Sequence, residues 1–481
     1  MPTEGSHRVP LNTIVMFVAA IVCVFCAAAW GLVESVESKG INARVVHRQG
    51  VTGSGIHIAM LSSGNARASH EAFSLPDGQR IITNYDFSGK GIAATSHDTQ
   101  VAAIVVSRGG ADYAECKGVA PGATLHSVRL SDGSISASVV ERALHAMVVN
   151  QGCRVVVTGI QLPSTSSKPD GTSVWANLYD YYAEHYDVFF ANAAGNSESA
   201  VTIFGDGHNG VTTGGLALDE YGRWFKTGSI SNSGPTVDGR RKPELMAPAH
   251  RLMLPAASGD AVWAASGSTR GETSFAAPHT AGAAALLMER AAQTETPYGD
   301  KSLTIKAILV NSADPNLLGK SNRLTHPDEN VWHPDRGYGR LDVGRAINVL
   351  DAGRIRPETM LSAAAGWAYE TMDSDQRHSY RIAAKKGERL VVTLTWHRKQ
   401  IRIGTLLFAE ERPRFNVLLE VRSPDGTVLF SETDDDNNLR KASLILPEDG
   451  EYTLIVRNPT HQQRRDYAMA FERRDSQAET P

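Results

Sequence analysis

The chain has 481 residues, which is long enough for two or three domains that each bury a hydrophobic core. Its 48 basic and 52 acidic residues nearly balance, and the net charge is only −4. This composition indicates neither nucleic-acid binding nor a strongly charged partner, so the function has to be inferred from motifs.

The first element is an uncharged apolar run, residues 14–29, that ends in three alanines. It is shorter than the roughly 20 residues that a membrane-spanning helix needs, and Ala-x-Ala is a signal-peptidase pattern. We therefore interpret residues 1–29 as a signal peptide and expect an exported protein that is secreted, periplasmic or held at the cell envelope. The alternative is an uncleaved anchor, and only then is membrane contact expected. The lead-in, residues 30–52, has no room for a propeptide, so the next domain is expected to fold without one.

Residues 53–350 alternate apolar strand runs with helical patterns, which predicts a parallel sheet covered by helices on both faces. Predicted strands are residues 56–61, 124–130, 154–158 and 188–191, and predicted helices are residues 98–106, 135–150, 173–185 and 275–293. The pattern is that of a doubly wound α/β domain, whose site lies at the C-terminal ends of its strands.

A second domain is predicted after a linker, residues 351–371, and it precedes a short tail, residues 476–481. Residues 372–475 contain short alternating strands and tight turns, which predicts an all-β sandwich or jelly roll. Its strands are expected at residues 389–396, 415–421, 427–431, 442–446, 452–456 and 467–471. The acidic run at 434–438 carries oxygen ligands suited to Ca²⁺, although a solvated loop is the simpler interpretation.

Ser274 stands at the head of a helical run rich in small residues, where free backbone N–H groups and the helix dipole favour developing negative charge. That setting suits a nucleophile. Two other polar residues lie next to small residues at the ends of predicted elements. His97 stands at the start of another helix rich in small residues, and Asn196 follows a strand that ends in Ala193-Ala194-Gly195.

These segments resemble those of subtilisin-like serine peptidases, over about residues 50–350. The nucleophile signature is matched at Ser274, Ala276, Pro278, His279, Ala281 and Gly282, and residues 118–123 and 231–248 resemble two further family segments. The resemblance implies that Ser274 is the nucleophile, His97 the general base and Asn196 the donor to the oxyanion. The C-terminal region resembles the jelly roll that follows some bacterial members.

The sequence departs from the family where the first strand ends, because Ser62 stands where the resemblance implies an Asp. A hydroxyl can accept the imidazole N–H but cannot stabilise the imidazolium ion, so slow turnover is expected, rising more than about tenfold on Ser62→Asp. Asp86 and Asp98 are other carboxylates nearby in sequence, but Asp98 is adjacent to His97 on a helix and is expected to point elsewhere. Asp98 and Glu272 both occupy positions at which the subtilisin-like family that the chain resembles usually has Gly.

The resemblance also implies a substrate-binding strand and a disulfide. Gly159, Ile160 and Gln161 would pair as extended backbone with a bound peptide. Cys116 and Cys153 precede two strands that the resemblance implies to be neighbours, so we expect them to form a disulfide. Two buried thiols are the alternative.

The pattern as a whole predicts a serine endopeptidase that hydrolyses peptide bonds through an acyl-enzyme and requires no cofactor. No His-Glu-x-x-His helix is present, so the metalloprotease class is excluded. The alternative function, favoured by Ser62, is that of a catalytically inactive pseudoprotease that binds a peptide or protein. The sequence gives no indication of the oligomeric state.

Overall fold

The computed structural model describes residues 32–75, 77–131, 134–160, 168–197, 199–218, 223–225, 231–265, 272–317, 332–361, 363–412, 414–459 and 464–475. The predicted signal peptide, the predicted tail and Gln161 lie outside these ranges. Within them, no helix is long and apolar enough to cross a membrane.

The first region alternates strands and helices. Its strands are β1 His57–Ser62, β2 Ile82–Asp86, β3 Thr124–Arg129, β4 Val155–Thr158, β5 Phe189–Ala193, β6 Val211–Leu218, β7 Trp224–Phe225, β8 Leu245–Pro248, β9 Met253–Pro255 and β10 Trp263–Ala265. Its helices are α1 Leu32–Val36, α2 Arg44–His47, α3 Ser96–Val106, α4 Ala137–Leu144, α5 Val174–His185, α6 Thr273–Gln293, α7 Ser302–Asn311 and α8 Val343–Asp351.

Seven of these strands form one parallel sheet in the order β2-β3-β1-β4-β5-β6-β8, and β7 adds to β6 in the antiparallel sense. Helices α3 and α6 pack on one face of the sheet, and α4 and α5 pack on the other. The predicted doubly wound α/β fold is confirmed, and the four predicted strands agree with β1, β3, β4 and β5 to within two residues. The central residues of β1 and β4 are apolar and buried on both faces of the sheet, so each of these strands is a continuous hydrophobic run in the sequence. Strand β3 also buries His126 and Ser127, and β5 buries Asn192.

The C-terminal region is all β, as predicted. Its strands are β11 Met360–Leu361, β12 Ala365–Met372, β13 Arg377–Ala384, β14 Glu388–Trp396, β15 Gln400–Arg402, β16 Phe408–Glu410, β17 Leu418–Arg422, β18 Val428–Glu432, β19 Leu439–Ile445, β20 Gly450–Arg457 and β21 Arg465–Asp475. The two larger sheets have the orders β11-β13-β20-β17-β18 and β12-β21-β14-β19, and β15 pairs separately with β16. Strand β12 begins inside the predicted linker, where it pairs with β21 from Ala365 to Met372.

The β region shares a core with the α/β region. Trp367, Leu439, Ala468 and Ala470 belong to the same buried cluster as the helices of the parallel sheet. The second sheet also supplies cations to the last turn of α7, where backbone carbonyls have no partner within the helix. Lys441 Nζ lies 2.7 Å from the Val310 oxygen, and Arg474 donates to the Asn311 oxygen at 2.9 Å.

The predicted disulfide is wrong, because Cys116 and Cys153 are both free and buried. They lie in cores on opposite faces of the parallel sheet, Cys116 with α3 and α6, and Cys153 with α4 and α5. Moreover, β1 lies between β3 and β4, so the strands that follow the two cysteines are not neighbours. Burial raises the pKa of Cys153 to about 12, which keeps this thiol protonated.

The acidic run in the β region makes contacts within the protein. Asp434 Oδ1 accepts the backbone N–H groups of Asp436 and Asn437 at 2.8 and 3.2 Å, and Oδ2 lies 3.1 Å from the Arg241 guanidinium. No cluster of three or more acidic, His or Cys side chains that would hold a metal ion occurs in the described ranges. The calcium interpretation stays a prediction.

Candidate active site

Ser274 lies in the first turn of α6, where the sequence analysis places a nucleophile. The helix begins at Thr273, and its N-cap residue, Glu272, makes no side-chain capping hydrogen bond. Ser274 is only 4% exposed, yet its hydroxyl faces another side chain rather than the core. The first N–H groups of a helix have no intrahelical acceptor, so the turn offers hydrogen-bond donors close to this hydroxyl.

His97 meets Ser274 from the first turn of α3. Its Nε2 lies 2.8 Å from Ser274 Oγ, and its ring packs against Phe275 with centroids 5.7 Å apart. Thr95 caps the helix, since its side chain accepts from the Asp98 N–H at 3.0 Å. Two helix N-termini from distant parts of the chain therefore bring a hydroxyl and an imidazole into hydrogen-bond contact.

Asp98 lies at the other nitrogen of the imidazole, which corrects the expectation that it points elsewhere. Its Oδ1 is 3.2 Å from His97 Nδ1. Adjacent residues diverge in the interior of a helix, but the first turn has no preceding turn to confine its side chains. Asp98 is at the third helical position and folds back over the N-cap, where Thr95 Oγ1 donates to Oδ2 at 2.6 Å. The Thr95-x-x-Asp98 spacing, which is that of a capping box, is the sequence signal for this conformation.

The Ser62 hydroxyl contacts the Asp98 carboxylate and not the His97 imidazole. It ends β1, is buried, and donates its hydroxyl hydrogen to Asp98 Oδ1. Gly64 leaves space for this carboxylate, since a Cβ at that position would lie 2.4 Å from Asp98 Oδ2. The carboxylate is thus held at the C-terminal end of β1, the end at which the resemblance implies an acid.

The hydrogen bonds and charges of the site shift the pKa values of Asp98 and His97. Burial acts to raise the pKa of Asp98, but hydrogen bonds from His97, Ser62 and Thr95 outweigh it and hold the pKa below its usual value. Burial acts to lower the pKa of His97, but the hydrogen bond and charge of Asp98, together with the charge of Glu272, outweigh it and raise the pKa. At neutral pH Asp98 is a carboxylate, and the imidazolium form of His97 is stabilised.

Glu272 places a second carboxylate on the Nε2 side of the imidazole. Its Oε2 lies 3.4 Å from Ser274 Oγ and 3.6 Å from His97 Nε2. The serine hydroxyl has one hydrogen to donate, and the shorter contact to His97 is the stronger of its two options. The Glu272 side chain is 43% exposed, so this group reaches the site from the solvent side.

Asn196 lies beside the start of α6, where its side-chain oxygen accepts two hydrogen bonds. Oδ1 accepts from the Thr273 backbone N–H at 2.7 Å and from Thr273 Oγ1 at 2.8 Å. Both hydrogen bonds end on the amide oxygen, and neither of them involves the Nδ2 amino group. The residue adjacent to Ser274 thereby fixes the orientation of the Asn196 amide.

The predicted substrate strand is described in part. Gly159 follows β4, and a Cβ at this position would lie 4.0 Å from His97 Cε1, so the backbone passes close to the imidazole. Ile160 packs against the core on the α4 and α5 face. Gln161 lies outside the described residues.

Comparison with known proteins gives matches that extend well beyond the site. The subtilase family model, Peptidase_S8, matches residues 53–340. The extracellular serine proteinase of Thermus sp. is 28% identical over 308 residues, which are 62% of this chain and 64% of that protein. Pyrolysin of Pyrococcus furiosus is 27% identical over 269 residues, which are 49% of this chain and 18% of pyrolysin. The chain spans less than two thirds of the length of these relatives.

A solved structure gives the same fold. The Clostridium perfringens CspB protease superposes with a TM-score of 0.55 at 15% identity, covering 66% of this chain and 99% of that one. At this identity the likeness concerns the fold alone. The family match, in contrast, covers more than half of the sequence and includes Ser62, His97, Asn196 and Ser274. The chain belongs to the subtilase family.

Proposed function

We propose that the protein is a serine endopeptidase in which Ser274 attacks a peptide bond and His97 acts as general base. The observation that carries the proposal is the 2.8 Å contact between Ser274 Oγ and His97 Nε2 at the N-terminus of α6. A nucleophile and a base within hydrogen-bond distance, with the base oriented by a third group, are what acyl transfer requires.

The chemistry follows from these positions. As Ser274 Oγ attacks the carbonyl carbon, its proton passes to His97 Nε2 and the carbonyl oxygen becomes an oxyanion. The Ser274 N–H and Asn196 Nδ2 are the donors proposed for that oxyanion. The Nε2 proton then passes to the leaving amine as the C–N bond breaks. Water, deprotonated by His97, releases the acyl group in the second half of the reaction.

The substrate is proposed to be a peptide or an unfolded protein segment. Gly159 brings the backbone that follows β4 close to His97, which supports pairing of a peptide strand beside the imidazole. Export of the protein is part of the proposal and rests on the apolar run at residues 14–29. No step of the reaction requires a metal ion, and a calcium ion would serve stability alone.

The proposal is tested by incubating the full chain with an unfolded protein and identifying new peptide termini by mass spectrometry. Ser274→Ala is expected to reduce cleavage by at least about 10⁴-fold, because Ser274 is the one hydroxyl that contacts His97 Nε2 in the part of the chain that the structure describes. Ser63→Ala, which alters an exposed serine next to Ser62, is the matched control and should cleave like the wild type. Equal cleavage by Ser274→Ala and the wild type would contradict the proposal.

Glu272 predicts a pH dependence. Its charge helps raise the pKa of His97, after the larger contribution of Asp98. The base works only when unprotonated, so activity rises as the pH passes upward through this pKa. Glu272→Gln is expected to move the acidic limb of the kcat/KM profile to lower pH and to raise kcat/KM at pH 6 by roughly two- to fivefold. Glu295→Gln, at an exposed acid beyond the other end of α6, should leave the profile unchanged. An unshifted limb in Glu272→Gln would show that its charge does not act on His97.

The second candidate function is that of a pseudoprotease that binds a peptide without cleaving it. The position of Glu272 favours it, since a carboxylate 3.4 Å from the nucleophile opposes a developing oxyanion. The cleavage assay separates the two functions. A pseudoprotease would retain the unfolded substrate with equal affinity in the wild type and in Ser274→Ala, and it would produce no new termini.

A further inference from the structure

We propose that Asp98 is the positioning residue that orients His97, in place of an acid at the end of β1. The inference rests on the proposed function for its catalytic meaning. Asp98 Oδ1 lies 3.2 Å from Nδ1, and Ser274 Oγ lies 2.8 Å from Nε2, so the two groups contact opposite nitrogens of one ring. This arrangement fixes the tautomer that a general base needs, with the hydrogen on Nδ1 and the lone pair on Nε2.

The residues around Asp98 bury its carboxylate and hold it in place by hydrogen bonds. It is 1% exposed, and both oxygens accept hydrogen bonds, Oδ1 from Ser62 and His97 and Oδ2 from Thr95. A buried carboxylate is tolerated only when it is paired and hydrogen-bonded, and these donors meet that condition. Ser62 is therefore a donor that holds the acid, and it does not replace the acid.

Neighbouring carboxylates cannot take this position. Asp86 ends β2, which β3 separates from β1, and its oxygens accept from the Ser88 and Gly91 N–H groups at 2.9 and 2.8 Å. Glu272 approaches the imidazole on the Nε2 side, 3.6 Å away, where it competes with Ser274 and cannot fix Nδ1–H. Asp98 is the one carboxylate at Nδ1 among the described residues.

The electrostatic consequence concerns the step that creates charge. When Ser274 transfers its proton to Nε2, the imidazole becomes a cation, and the buried Asp98 carboxylate lies next to it. Asp98 itself takes no proton in this step. The carboxylate thus acts through His97, since its side-chain contacts among the described residues are with His97, Ser62 and Thr95.

The inference is tested with Asp98→Asn in the full chain, using Asp86→Asn as the matched control. We expect Asp98→Asn to lower kcat by about 10⁴-fold while KM changes little, because loss of the acid affects the charged transition state rather than substrate binding. Asp86→Asn should retain wild-type kcat. A folded Asp98→Asn protein with kcat within about tenfold of the wild type would overturn the inference.

A second readout does not depend on turnover. The pKa of His97 is measured by NMR with histidine labelling, and its resonance is identified by its absence in His97→Gln. It should fall in Asp98→Asn and stay unchanged in Asp86→Asn; Glu272 is the other charged group that faces His97 and is present in every variant. An unchanged His97 pKa in Asp98→Asn would contradict the contact. If the wild type neither cleaves peptides nor reacts at Ser274, the proposed function fails, yet this titration still tests the contact.

If Asp98→Asn does not fold, a double variant that moves the carboxylate from position 98 to position 62 tests the inference instead. Ser62→Asp combined with Asp98→Gly returns the carboxylate to β1 and leaves one acid in the site. If a carboxylate at Nδ1 is what the site needs, this double variant should work within about tenfold of the wild type, whereas Asp98→Gly alone should be about 10⁴-fold slower. Equal activity of the double variant and Asp98→Gly would count against the inference.

Discussion

Ser62→Asp alone is expected to lower peptide turnover by at least about a hundredfold, which reverses the effect expected from the sequence. The sequence suggests that an acid is missing at this position, so that adding one restores activity. In the structure the Ser62 hydroxyl already donates to the buried Asp98 carboxylate. An aspartate at position 62 would therefore bring two carboxylates into contact where neither is exposed to solvent.

Like charges in a buried site cannot both ionise without a large cost, so one carboxylate must take up a proton or the site must open. We expect the free energy of unfolding to fall by about 3 kcal/mol at neutral pH, measured by chemical denaturation. Ser63→Asp makes the same chemical change at the next residue, which is exposed, and should alter neither stability nor turnover. A rise in turnover of more than about tenfold in Ser62→Asp would show that Asp98 does not serve His97.

Removal of residues 352–481 is expected to abolish cooperative unfolding of the α/β region. The deleted strands supply Trp367, Leu439, Ala468 and Ala470 to the core that packs against the parallel sheet. They also supply the cations that meet the carbonyls at the end of α7. Without them, apolar surface would be exposed and the Val310 and Asn311 carbonyls would lose these donors. Calorimetry of the truncated chain measures this, and a single sharp transition near that of the full chain would contradict it.

A point variant isolates the polar part of this interface. Lys441→Met keeps most of the side-chain volume but removes the donor to the Val310 carbonyl, which should lower the free energy of unfolding by about 1 to 3 kcal/mol. Lys399→Met is the matched control, because Lys399 is 36% exposed and pairs with Glu411 within the β region. Its effect should stay within about 0.5 kcal/mol.

The sequence predicts the fold well because the buried strands are short apolar runs between helical patterns. The ends of β1 and β4 are predicted to within two residues for this reason. The sequence pattern places most of β12 in a linker, since its partner, β21, lies about a hundred residues further along the chain and only the pairing makes the segment a strand. The disulfide between Cys116 and Cys153 follows only from the strand order that the resemblance implies, and the sheet has a different order.

The site is predicted less completely, because Asp98 is recruited by local geometry that a family motif does not describe. The motif shows only that the acid is absent from the end of β1. The position of the Asp98 carboxylate depends on the first turn of α3, on the cap at Thr95 and on the space left at Gly64. A rule for adjacent residues inside a helix does not apply to that turn.

The most direct test of the central claim, a serine activated by His97, is labelling of the folded full chain with a fluorophosphonate. The reagent forms a covalent bond only with an activated hydroxyl, and the modified residue is identified by mass spectrometry. We predict labelling at Ser274 with a rate that rises with pH as His97 loses its proton, and no labelling in Ser274→Ala. A folded wild-type protein that stays unlabelled across this pH range, or a label that persists in Ser274→Ala, would contradict the account.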